Sequence, residues 1–203
     1  CVQGSMAACL SVNGWASTDR AAVGRLVASK NLLAVAARGM GELEPADIDG
    51  FGPAVLGLVS HLRGHRPPEG FTWDGHSLDP AREAVAPLVH RRRGCFFCSS
   101  SGRPYLMLDD DPSLTERSEE TSPGVLVSDL QPLGELTAAG LDGRAIGLVT
   151  RASYDLGLDP CRAASAVRRA GATDPATARP VLEALARGEG APVAGAGMAG
   201  WGL

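Results

Sequence analysis

"HRRRGCFFCSSSGRPYLMLDDD", residues 90–111, marks the point where the chain changes character. It holds the one close cysteine pair, Cys95 and Cys98, together with the densest basic run, 91–93, and the densest acidic run, 109–111. Upstream of it, apolar residues recur with helical spacing. Within and after it, "CFFCS", "PYLMLD", "GVLVSDL" and "RAIGLVTRA" are short runs rich in aliphatic and aromatic residues, bounded by Gly, Pro and Ser, which reads as strands. Helical signals return after Tyr154. A helical front, three to four short strands and a helical back favour an α+β fold with segregated elements. A small parallel α/β sheet is the alternative, because a helix could separate "GVLVSDL" from "RAIGLVT".

The helical front rests on two segments. "STDRAAVGRLVASKNLLAVAARG", residues 17–39, opens with the cap candidates Ser17 and Thr18, and places Val23, Leu26, Val27, Leu33, Ala34 and Ala37 on one helical face. "DIDGFGPAVLGLVSHLRG" repeats the pattern, with Pro53 expected at a first helical position and Gly64 at the end. A third helix is expected from Asp79-Pro80, with Pro87 kinking or restarting it and "HRRRG" in its last turn. In the back, Asp159-Pro160 and Asp174-Pro175 repeat the acidic-cap-then-proline start, and Gly171 ends the first of those helices. The expected organisation is a helical part over 6–93, a mixed part over 94–190 packed with it into one domain, and a Gly/Ala tail over 191–203. Gly4-Ser5-Met6 reads as a vector-derived junction, so residues 1–5 are given no functional weight.

Net charge is −4, from 19 basic and 23 acidic residues, so no overall field draws the protein to nucleic acid or anionic lipid. Lys30 is the single lysine among the basic residues, an arginine bias expected of GC-rich coding. No apolar run approaches the ~20 residues that span a bilayer. No secretory leader is visible, and five irregularly spaced cysteines make no disulfide framework. The expected setting is therefore cytoplasmic and reducing, without a membrane partner.

Cys95 and Cys98 have the C-x2-C spacing with which two thiolates grip one zinc ion from a tight turn. A structural site needs two more ligands, and His90 and Cys161 are the residues chosen for that role. Two readings stand beside the metal one. In a flat strand the two cysteines point to opposite faces and act as small buried hydrophobes. As a thiol–disulfide pair they would need a stabilised thiolate, which residues 91–93 rather than a helix start would have to supply. His61 and His65 are four residues apart, but Leu62 stands where a zinc protease carries its glutamate base. Cys161 should sit in the first turn of a helix, and "GAGMAG" at 195–200 lacks the strand and helix a dinucleotide fingerprint requires.

"YLMLDDDPSLT" is an apolar run ending in Asp109-x-Asp111, and "AIGLVT" ends in Thr150. These two runs resemble the first and second motifs of haloacid-dehalogenase-type phosphotransferases. The resemblance implies Asp109 as nucleophile, Asp111 as general acid/base, Thr150 as a phosphate-binding hydroxyl and a magnesium ion as cofactor. The lysine and the closing acidic pair that the family places after the second motif have no counterpart, since Lys30 lies far upstream. The expectation drawn from the whole is a small intracellular binding or regulatory protein with a zinc site at the cysteine pair. It would act on a protein partner or through self-association, and phosphoryl transfer is the enzymatic alternative.

Overall fold

The computed structural model describes residues 5–12, 16–17, 23–39, 41, 44–64, 72–73, 76–77, 79–93, 103–108, 124–127 and 130–189. It is an α+β fold whose core is built by the C-terminal helices and a three-stranded antiparallel sheet. In that sheet β5 (Val89–Arg93) and β7 (Val125–Leu126) flank β6 (Arg103–Leu106). Among the described residues every pairing is antiparallel, so the sheet they form is not the parallel alternative. Two small ribbons precede it, β1 (Ser11–Val12) with β2 (Ala16–Ser17), and β3 (Thr72–Trp73) with β4 (His76–Ser77).

Four helices complete the core: α4 (Gln131–Ala138), α5 (Gly143–Asp155), α6 (Pro160–Arg169) and α7 (Pro175–Ala186). α5 is the central one and packs on α4, α6, α7, β7 and on α3 (Asp79–Val85). Its inward residues Ala145, Ile146, Val149, Thr150, Ser153 and Tyr154 recur with helical period, while Arg144 and Leu148 face outward. Leu106, Leu108, Val125 and Val127 meet them from the sheet side, and Leu133, Leu136, Val167 and Leu182 complete the core. Each such side chain removed from water contributes roughly 1.5–3 kcal/mol, and this burial holds the elements together.

The helix starts read from Asp-Pro pairs are present. Asp159 Oδ1 accepts from the Cys161 and Arg162 amides at 2.8 and 3.4 Å, and Asp174 Oδ1 accepts from Ala176 and Thr177 at 2.8 and 3.0 Å. Each satisfies amides that the first helical turn leaves without backbone partners, and the proline that follows has no amide to satisfy. α6 closes at Gly171, whose φ of 67° suits a left-handed cap, with the Ala172 amide donating back to Val167 O at 3.2 Å.

Four expectations are corrected. Of the helix expected over 17–39, the described residues form α1 (Val23–Ser29), which ends well before Gly39. Asn31, at φ 56°, takes the left-handed position after it, and the Leu32 amide donates to Val27 O at 3.0 Å, a capping motif that turns the chain out of the helix. Leu33 and Val35 then run extended and exposed instead of lining a helix face. "RAIGLVTRA" is not a strand but part of α5, started by Asp142, whose Oδ1 accepts from the Ala145 amide at 2.7 Å. "HRRRG" is not a last helical turn: α3 gives way to a short 3-10 turn over Ala86–Leu88, and residues 89–93 pair with β6. Pro87 removes the amide that continued helix would need. Pro53 lies inside α2 (Ile48–Gly64) and not at its start.

Ser5, given no functional weight above, has a structural role. Ser5 is only 1% exposed, and its hydroxyl donates to Leu185 O at 2.7 Å, fixing the segment against α7. From there residues 7–9 run antiparallel to 157–159, through a bridge between Ala8 and Leu158. α1 closes over this strap because Gly24 has no side chain: a Cβ there would lie 2.6 Å from the Cys9 backbone.

Candidate functional site

The residues expected to carry chemistry fall in different places. Cys95, Cys98, Asp109 and Asp111 lie outside the described residues, as do His65 and residues 191–203. His90 is exposed on β5, at the register shift between Val89 and Arg91. Cys161 sits in the first turn of α6, 4% exposed, with its amide on Asp159. His90 therefore faces solvent from an edge strand while Cys161 belongs to the helical interior. Among the described residues no group of three or more His, Cys, Asp or Glu side chains is placed to hold a metal ion.

Thr150 is 2% exposed in the middle of α5, and its hydroxyl donates to Ile146 O at 2.8 Å. Ser153 does the same to Val149 O. These back-bonds satisfy hydroxyls that burial in the core would otherwise leave without water. Thr150 thus does not stand at a strand end, where the resemblance to the phosphotransferase motif places its hydroxyl.

The arginine run lies along the edge strand β5. Arg91 is paired with Tyr105, and its guanidinium lies 5.6 Å from that ring's centroid, a cation–π contact. Arg93 stands directly opposite Arg103, a like-charge cross-strand pair. Charged side chains along an edge strand discourage further strands from adding to it. Behind β5, Arg82 and Arg92 rim a cavity of ≈ 110 Å³ floored by Val85, Val89, Pro104 and Leu133. A wider cleft of ≈ 350 Å³ opens between the strap at Cys9 and Leu10, the extended Leu33 and Val35, and the end of α5 at Tyr154.

The largest exposed apolar feature is α2. From Ile48 to His61 every residue is exposed except the half-buried Val59. Ile48, Phe51, Val55, Leu56 and Leu58 all present their side chains to solvent, and the extended Leu32, Leu33 and Val35 add to the same class. A protein surface ordinarily scatters single apolar residues, whereas α2 carries five of them. These five are neither charged nor nucleophilic and carry no catalytic signature; their mark in the sequence is their spacing.

Among the described residues no helix is long and apolar enough to cross a membrane. No family model matches the chain, and neither a curated protein nor a solved structure is significantly similar to it.

Proposed function

We propose that the protein is a small binding protein that engages another polypeptide through the exposed apolar residues of α2. The observation that carries this reading is the exposure of Ile48, Phe51, Val55, Leu56 and Leu58 on one helix, beside a core that is complete without them. Leaving that much apolar side chain in water is unfavourable by about 25 cal/mol per Å², and a protein partner removes the cost. The test replaces Leu58 with a photo-crosslinking amino acid in the full chain, with exposed Arg179 on α7 as the control position. Adducts to a polypeptide from position 58, lost when Val55→Glu is added and absent from position 179, are expected. No polypeptide adduct from position 58 overturns the reading.

A structural zinc ion held by Cys95 and Cys98 is the second reading. Arg93 and Arg103 are cross-strand partners, and positions 95 and 98 fall between them in the sequence. A C-x2-C pair grips zinc from a tight turn, and that spacing supports the reading. Stoichiometric zinc in the purified reduced protein, lost with Cys95→Ser, is the expected result; no bound metal overturns it.

A further inference from the structure

We infer that the partner of α2 is a second copy of this chain, joined to it as a short parallel helix pair. This rests on the proposed binding role of α2 and names its occupant. Ile48, Phe51, Val55 and Leu58 are spaced 3, 4 and 3 residues apart, and Leu62 continues the sequence by 4, which is the a–d alternation of a coiled-coil seam. The first positions of the repeat are Ile48, Val55 and Leu62, of which Ile48 and Val55 are β-branched, and Leu58 takes the alternate position. β-branched residues at the first position with leucine at the alternate position favour two parallel strands, in which each residue meets its own counterpart. Phe51 occupies the other alternate position.

Two further observations favour an identical partner. The positions flanking the seam are Gly52, Ala54, Val59 and His61, with no acidic or lysine/arginine side chain among them, so nothing there selects a partner of complementary charge. Pro53 falls on the side of the helix away from the seam, so it does not interrupt the apolar row. The four seam side chains are exposed by 73, 48, 39 and 58% in chain order, so a second copy can reach all of them. A seam this short buries less than the ~1,600 Å² of a standard interface. The pair is accordingly weak and its formation depends on concentration.

The test is sedimentation of the purified, reduced full chain over a concentration series. A rise from 20.9 kDa toward twice that mass is expected. Leu58→Glu should hold the protein at the monomer mass without changing its unfolding midpoint, and Arg179→Glu should leave the association intact. A monomer at every concentration, or a dimer indifferent to Leu58→Glu, overturns the inference. A monomer that still gives position-58 adducts to a different polypeptide leaves the binding role standing and removes only the second copy. A monomer that instead floats with phosphatidylcholine vesicles through α2 overturns both.

Discussion

The backbone amide of Asp159 donates to the carbonyl of Ala7 at 2.8 Å, so the residue that starts α6 also anchors the N-terminal strap. The same carboxylate is 1% exposed and lies 3.8 Å from the Arg162 guanidinium, within its own helical turn. One aspartate thereby joins the chain start, the α5–α6 connection and a helix cap. The neighbouring amide of Cys9 donates to Gly157 O at 2.9 Å and extends the same seam.

The strap should therefore contribute to stability. Ser5 Oγ donates to Leu185 O at 2.7 Å and accepts from the buried Ala7 amide at 3.2 Å. Ser5→Ala removes both bonds and leaves the amide without that acceptor, a cost of about 1–2 kcal/mol. Thermal unfolding should move down by roughly 2–8 °C for a chain of this length. An unchanged midpoint would show that the strap is not fixed by this serine.

Leu106 is fully buried in the middle strand and Leu33 is 88% exposed. Leu106→Ala should destabilise by about 2–5 kcal/mol, through lost burial and the cavity left behind. Leu33→Ala should stay within about 0.5 kcal/mol. Denaturant titrations of the two variants, compared at their midpoints, check the difference.

Gly143 opens α5 where that helix crosses α3. A Cβ there would run into the Ala84 carbonyl, which belongs to helix backbone and cannot swing aside. Gly143→Ala should cost about 1–3 kcal/mol through forced separation of the two helices. Gly57→Ala is the opposite case: nothing lies within 4 Å of its added Cβ, and helix α2 should gain about 0.5–1 kcal/mol. Circular dichroism on heating reports both signs.

The Asp174 carboxyl is held below its ordinary value of 3.8 by the Thr177 backbone amide first and the Thr177 hydroxyl second; desolvation opposes them, and the Ala176 amide adds a lesser lowering. Its folded pKa is lower than its unfolded one, so its contribution is present above the ordinary value and disappears as pH falls through the lowered value. The stability difference between the native chain and Asp174→Ala should be constant near neutral pH and shrink below 3.8. Unfolding midpoints of both proteins across that range test it; a difference that widens on acidification would contradict the sign.

Local signals in the sequence were sufficient where a residue acts on its own neighbours. Asp159-Pro160, Asp174-Pro175 and Gly171 mark helix ends because caps and left-handed turns are completed within a few residues. The α+β class followed from the same source, since "PYLMLD" carries all of β6 but its first residue and the back of the chain carries helix starts. The spacing of Ile48, Phe51, Val55 and Leu58 was equally present, but its meaning depends on α2 being uncovered.

Tertiary structure decided what local pattern left open. "RAIGLVTRA" carries β-branched residues that suit a strand, yet Asp142 caps it and four helices and a strand close around its apolar stripe, so it is helix. Residues 91–93 would suit a helix C-terminus, but Pro87 interrupts the helix and pairing with β6 satisfies their backbone as strand. Ser5 has no distinguishing mark in sequence; only Leu185, distant along the chain, gives its hydroxyl a role. Composition and short-range spacing fix what a segment can form, and burial against partners far along the chain selects which of those forms it takes, because the apolar area removed from water outweighs intrinsic preference.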